Sequence, residues 1–393
     1  MREIIKAINS LFVRREKKTI NQTNIIVFGE WFGKKCCDNC LSFANYLANE
    51  KTPFELYWVM NKECDTSRLD KRIKLIERGS EEAIRVLQRA RIIIVNQGIV
   101  DVIPDTSYYP CNSVLINFWH GVAWKKIGSD SLKNRLKALY SRHLYRNDGT
   151  DYYLTTSAEF TRRLKTAFAA DEKKTIKAGY PRNSLFYDVA SMKRLRDSFI
   201  TKHALENNAI FVSYLPTFRD KTESVFDIAT ILKDKSFSDY LASNEVYLIR
   251  KDHFVTEQRD SFHNSIKTGR IIIDESISAS ETLAISDVLI TDYSSCFFDY
   301  LVLNRPIIHF LYDYDYYKTS DRGLYYDIND VSCGRCCFSD EELKKEIRYY
   351  IENPSSDEDV RKNRKQLFME YETPKTNEAI LSFIQKNLGI VNR

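Results

Sequence analysis

The chain has 393 residues, 43% of them hydrophobic, and a formal charge of +5 from 59 Lys and Arg against 54 Asp and Glu. At roughly 100–200 residues per domain two domains are expected. The apolar content argues against long disorder, and the charge balance gives no global signature of a nucleic-acid binder. Nine cysteines, no secretory apolar core in the first ten residues and no run near ~18 apolar residues predict reduced thiols in the cytoplasm and no membrane-spanning segment.

In chain order, residues 1–20 come first. Ile4, Ile5, Ile8, Leu11 and Phe12 recur at helical spacing among Arg2, Lys6, Arg14, Arg15, Lys17 and Lys18. This predicts a basic amphipathic helix, lying either on an anionic membrane surface or on the body of the protein. Apolar strand patterns follow at 24–28, 55–60, 92–96, 113–118, 152–155 and 175–178, then at 209–213, 246–250, 270–273, 287–291 and 307–311. Helical patterns separate them at 39–49, 80–90, 131–145, 158–168, 191–207, 226–241 and 295–303, and 340–388 reads as helices alone. Near-continuous Ile, Val and Leu runs alternating with helices predict βαβ units with buried parallel strands. The expected fold is α/β: two doubly wound, Rossmann-like domains facing a cleft, as in a GT-B arrangement, with a helical C-terminal tail. The expected division is 1–20 for the basic helix, 21–190 for an acceptor-side domain and 191–393 for a nucleotide-binding domain with the tail. Ligands of such sheets bind at the carboxyl ends of the strands.

Four segments carry candidate chemistry. INFWHGVAWKKIG brings His120 to a strand end, followed by Gly121, Lys125 and Lys126. A histidine titrates near ~6.5 and can act as a general base at neutral pH. Gly121 would let a substrate approach the backbone, and the lysines could neutralise phosphate. The plain alternative is a structural histidine. The turn Thr291, Asp292, Tyr293, Ser294, Ser295 opens a helix, where hydroxyls and free N–H groups can hold an anion. Asp292 does not suit a phosphate and is assigned to capping or to donor hydroxyls; an ordinary helix cap is the alternative for the whole turn. FVSYLPTFRD places Thr217 and Arg219 after a strand, and VYLIRKDHF does the same for Arg250, Lys251 and His253. A solvated charge cluster is the alternative for the last.

The ordered series GEWFGKKCCDN, NFWHGVAWKKIG, AGYPRN, YLPTFRD, IRKDH, TDYSSCFFDYLVLNRPIIHF and DRGLYYD resembles the signature of the CDP-glycerol glycerophosphotransferases, the teichoic-acid primases and polymerases and related capsule polymerases. The resemblance implies a GT-B-like fold, peripheral association with the cytoplasmic face of the membrane and a CDP-activated donor, with no cofactor and no metal. It implies that a hydroxyl of a lipid-linked or polysaccharide acceptor attacks the β-phosphorus of CDP-glycerol or CDP-ribitol and releases CMP. His120 corresponds to the essential histidine of the family, His253 to the second one. Thr291, Asp292, Ser294 and Ser295 correspond to the donor turn, and Arg322 to an arginine near the donor phosphates. Asp38 and Asn39 correspond to an early Asp-Asn pair, expected on the acceptor side. Val122 and Ala123 stand where Thr-Pro is more usual. Cys36, Cys37, Cys40 and Cys333, Cys336, Cys337 form two clusters, read as buried thiols with zinc as the alternative. The rival functions are a GT-B glycosyltransferase using a nucleotide sugar and a non-catalytic member that only binds acceptor polymer.

Overall fold

The computed structural model describes residues 19–104, 110, 112–131, 149–217, 226–251, 269–319 and 323–388. The N-terminal basic helix, most of the helix expected at 131–145, and Arg219, His253 and Arg322 lie outside these residues. The chain forms two compact units. The first holds residues 1–120, 127–184 and 370–393; the second holds 121–126 and 185–369.

The first unit is built on a parallel sheet of seven strands: β1 Ile25–Phe28, β2 Glu55–Met60, β3 Lys74–Glu77, β4 Ile92–Val95, β5 Val114–Asn117, β6 Tyr152–Thr155 and β7 Thr175–Lys177, in the order β3-β2-β1-β4-β5-β6-β7. All residues of β1, β4 and β5 are buried, which is why their sequences are apolar throughout, save for Asn117 at the end of β5. One face packs Ile25, Val27, Ile93, Val95 and Leu115 against Val86 and Leu87 of the helix Glu81–Arg89. That helix starts where the Ser80 hydroxyl accepts the Ala83 N–H.

The second unit repeats the plan with β8 Ile210–Leu215, β9 Val246–Arg250, β10 Ile271–Ile273, β11 Val288–Thr291, β12 Ile307–Phe310 and β13 Arg335–Cys337, ordered β10-β9-β8-β11-β12-β13 and all parallel. In both sheets the order reverses beside the first strand, between β1 and β4 and between β8 and β11. The connections there leave in opposite directions, so a crevice opens at the carboxyl ends.

Three expectations change. The units are not consecutive as 21–190 and 191–393 would have them. The tail splits: residues from 370 belong to the first unit, because the buried Glu372 carboxylate accepts N–H groups from Tyr180 (2.9 Å) and Asn183 (3.0 Å), and the Tyr371 N–H reaches the Thr156 carbonyl at 2.8 Å. The single helix expected at 226–241 is a 3-10 turn, Ile228–Lys233, and then a helix, Lys235–Ser243. Asp227 and Asp234 each accept a main-chain N–H from the following turn and restart the chain twice. Strands β3 and β13 were not expected. β3 is an edge strand whose only buried residue is Ile76, and β13 is written in Arg and Cys where an apolar run would be sought.

Candidate functional site

The first unit presents His120 at the end of β5. Phe118 still bonds the β4 partner Val95, at 2.7 Å, and the chain then turns sharply. Trp119 takes a left-handed conformation, φ 57°, and Gly121 has φ 151°. A left-handed tryptophan costs about 1–2 kcal/mol and persists only when its surroundings fix it. Here they do. The Trp119 N–H donates to Asn117 Oδ1 at 2.8 Å, and its carbonyl accepts Asn39 Nδ2 at 3.0 Å. The His120 carbonyl accepts Arg182 Nη1 at 3.2 Å. The half-exposed imidazole lies between two indoles, with ring centroids 4.4 Å from Trp119 and 5.8 Å from Trp31. A general base needs this combination of fixed orientation and access.

Behind it, the crevice of this sheet is filled by the protein's own acids. Glu30, just past β1, accepts the Asp38 N–H at 2.9 Å, the Cys37 N–H and Asn96 Nδ2. Burial, reinforced by the charges of Asp38 and Asp101, raises its pKa well above the usual carboxylate value, against the N–H groups of Asp38 and Cys37. Asp101 is pushed up to about 6 by burial although it accepts N–H groups from Phe32, Asn96 and Gln97. Asp38 caps the helix Asn39–Asn49, pairs with Arg182 at 2.5 Å and accepts Trp31 Nε1 at 3.2 Å. Asp38, Asn39 and Arg182 are all buried.

In the second unit the β8–β11 switch point holds Thr217 and the turn Thr291–Ser295. The Asp292 carboxylate accepts the Thr217 N–H at 2.8 Å, which joins the two strand ends. Thr291 is buried, and its hydroxyl donates to the Leu215 carbonyl at 2.7 Å. Ser294 and Ser295 are half-exposed; Ser295 is the N-cap residue of the short helix Cys296–Tyr300 but makes no side-chain capping bond. The motif thus divides into three buried residues, of which Thr291 and Asp292 bond the neighbouring strand end, and two half-exposed serines, of which Ser294 accepts the Cys296 N–H at 3.5 Å.

Gly121 to Lys126 also belong to this unit. Trp124 is fully buried; its Nε1 donates to the Tyr326 carbonyl at 2.9 Å, and its ring lies 5.4 Å from Tyr293. Lys125 pairs in antiparallel fashion with Leu324, and the Lys126 N–H reaches the Gly323 carbonyl at 2.8 Å. The lysine segment therefore runs beside the residues that follow Arg322 in the chain. Val122 and Ala123 are buried. Arg250 ends β9, buried, 3.2 Å from the Asp227 carboxylate.

Among the residues of these clusters that carried no expected role are Glu30, Trp31, Asp101, Arg182 and His309. Arg182 and His309 stand inside quoted motifs, AGYPRN and NRPIIHF, and Glu30 inside GEWFGKKCCDN, so the signal was present. His309 is register partner to Thr291, and its Nε2 accepts the Cys333 N–H at 3.0 Å. Burial pushes its pKa down to about 4, against the charge and main chain of Asp292. The cysteines of the two clusters make separate hydrogen bonds. Cys36 lies 3.5 Å from Cys64, Cys40 donates to Asn96, and the buried Cys333 and Cys337 donate to the carbonyls of Val331 and His309. Burial pushes the Cys296 and Cys336 thiols up to about 11.

Comparison with known proteins shows the family and the fold. The sequence profile described as CDP-Glycerol:Poly(glycerophosphate) glycerophosphotransferase matches residues 11–386. A teichoic acid poly(glycerol phosphate) polymerase of Bacillus spizizenii is 25% identical over 91% of this chain and 89% of its own length. A teichoic acid glycerol-phosphate transferase of Staphylococcus aureus is 27% identical over 77% of this chain and 78% of its own. Against the Bacillus subtilis polymerase the match is 26% identical and spans 46% of that longer protein. The structure of the wall teichoic acid polymerase TagF superposes with a TM-score of 0.78 at 22% identity, over 99% of this chain and 97% of that one, and so shares the two-domain α/β, GT-B-like fold.

The His309 environment has a signed consequence. The folded protein leaves this ring neutral down to about pH 4, whereas the unfolded chain protonates it near ~6.5. Its contribution to stability is present above that value and is lost as pH falls from it toward the folded value, by up to roughly 3 kcal/mol. His309→Gln should therefore flatten the dependence of the urea midpoint on pH between about 6.5 and 4.5. An unchanged slope would refute this account of His309.

Proposed function

The chain belongs to the CDP-glycerol:poly(glycerophosphate) glycerophosphotransferase family, and we propose that it joins glycerol phosphate to an acceptor hydroxyl with His120 as the general base. It is a transferase of teichoic-acid synthesis that uses CDP-glycerol as donor. In the proposed step the acceptor oxygen attacks the β-phosphorus. A new P–O bond forms, the bond to the CMP oxygen breaks, and the hydroxyl proton passes to the imidazole. CMP leaves and a phosphodiester remains.

The observation that carries this reading is the turn at the β8–β11 switch point, where Ser294 and Ser295 present hydroxyls over a scaffold fixed by Thr291 and Asp292. Such a turn suits the diphosphate of the donor. Lys125, Thr217, Arg219, Arg250, His253 and Arg322 are proposed to neutralise or orient the phosphates, and Gly121 to admit them close to the backbone. Arg250 acts in this scheme with Asp227 as its standing partner. Little covalent work falls to the protein in phosphoryl transfer, so positioning and electrostatics carry most of the acceleration.

Glycerol is favoured over ribitol by the family description and by the two polymerases of Bacillus spizizenii: the poly(glycerol phosphate) enzyme matches 91% of this chain and the poly(ribitol-phosphate) enzyme 62%. No helix among the described residues is long and apolar enough to cross a membrane. The basic stripe at the N-terminus supports peripheral binding to the anionic cytoplasmic face of the membrane, where a lipid-linked or polysaccharide acceptor would be met.

His120→Ala should lower CMP release from CDP-glycerol by ~100-fold or more while the urea unfolding midpoint stays near wild type. Near-wild-type release by the folded variant would refute the base assignment. CDP-ribitol and UDP-sugars, assayed alongside, should release nucleotide far more slowly. For the membrane reading, deleting residues 1–18 should reduce co-sedimentation with phosphatidylglycerol-containing liposomes, and unchanged co-sedimentation would contradict it.

A further inference from the structure

Asp38 and Asn39 look from the sequence like residues that would meet the acceptor. The structure gives them other work. Both are buried, and so is Arg182, which ties them to the histidine. Asp38 Oδ1 accepts the Asn39 N–H at 2.8 Å and Arg182 Nη1 at 2.5 Å, while Oδ2 accepts Trp31 Nε1 at 3.2 Å. The Arg182 N–H donates to Asn39 Oδ1 at 3.3 Å, which leaves Asn39 Nδ2 for the Trp119 carbonyl at 3.0 Å. Arg182 Nη1 also reaches the His120 carbonyl at 3.2 Å.

We propose that Arg182, anchored by Asp38 and helped by Asn39, is a positioning residue that holds the Trp119–His120 turn and thereby aims the His120 ring. The proposal rests on the reading of His120 as the general base. Two consecutive carbonyls of a strained turn are gripped by side chains from two distant parts of the chain. The same Asp38 carboxylate fixes Trp31, one of the two indoles that flank the imidazole. Contacts to the His120 carbonyl and to Trp31 therefore converge on one buried ion pair, Asp38 with Arg182.

The residue types fit the task. A guanidinium is planar and carries several donors in fixed directions, so one group can hold a carboxylate and a peptide carbonyl together. Its flat face lies over the Tyr180 ring, 4.8 Å from the centroid, which limits its swing. An ammonium at this position could keep the charge pair but would lose the planar bridge. Removing either partner would leave the other charged and buried, so the arrangement resists drift. None of the three side chains needs to touch the acceptor. Their effect should fall on kcat, since misplacing a catalytic group by about 1 Å can cost ~100-fold in rate.

The test is the kinetics of Arg182→Lys, Arg182→Gln and Asn39→Ala in the full-length protein, with His120→Ala beside them. CMP release from CDP-glycerol is followed with a soluble oligo(glycerol phosphate) of defined length as acceptor. Rates are expressed per folded molecule, from unfolding curves. Arg182→Gln should lose about 100-fold in kcat with KM for donor and acceptor within about 3-fold of wild type, and Arg182→Lys should recover part of that loss. Asn39→Ala should lose about 10-fold in kcat and decides the matter if neither Arg182 variant folds. A wild-type kcat per folded molecule would overturn the proposal, and so would a loss expressed only as a raised acceptor KM, which would make these residues acceptor contacts. If His120→Ala is inactive while the folded Arg182 or Asn39 variants keep full kcat, positioning fails and the base stands. If His120→Ala is active, the base reading itself fails.

Discussion

The constraint on which everything else rests is the reversal of strand order in a parallel sheet. Beside the first strand of each unit, neighbouring connections depart to opposite sides and leave a crevice at the carboxyl ends. The two units use it differently. In the first, Glu30, Asn96 and Asp101 occupy the crevice between β1 and β4 and satisfy one another and the turn amides. Asp38 and Arg182 link that packing to the His120 carbonyl in the loop after β5. In the second, Asp292 and Thr217 join the strand ends across the crevice, and two serines remain half-exposed above them. One fold plan therefore carries a half-exposed histidine in one unit and a pair of half-exposed hydroxyls in the other.

Much of what reads as ligand chemistry in the motifs is turn construction. Thr291 and Asp292 spend their side chains on the neighbouring strand end, and Asp38 and Asn39 spend theirs on Arg182, Trp31 and the carbonyl of Trp119. This follows from energetics. A buried polar group without a partner costs about 1–3 kcal/mol, so a turn that must expose one hydroxyl or one imidazole has to satisfy all the rest internally.

The fold was legible because parallel strands buried on both faces have to be written as apolar runs; β2, β6 and β9 emerge at the very limits their patterns suggest. Strands β3 and β13 were not, since an edge strand buries only one or two side chains and can be spelled Lys-Leu-Ile-Glu or Arg-Cys-Cys. The interleaving of the units was hidden as well. It depends on Glu372 meeting Tyr180 and Asn183 nearly two hundred residues away in sequence. At the site, His120 and the serine turn stood out because a strand end followed by Gly or Ser has a local signature. The partners of His120 did not, because Arg182 and Trp31 acquire their roles only when β1, β5 and the segment after β7 are brought together.

The account is tested most directly by following the β-phosphorus. With CDP-glycerol labelled there, the purified protein and an oligo(glycerol phosphate) acceptor, the account predicts that all label enters the oligomer as phosphodiester while one unlabelled CMP appears per unit added. Label recovered in CDP or in inorganic phosphate would mean that a different bond breaks, and would contradict it.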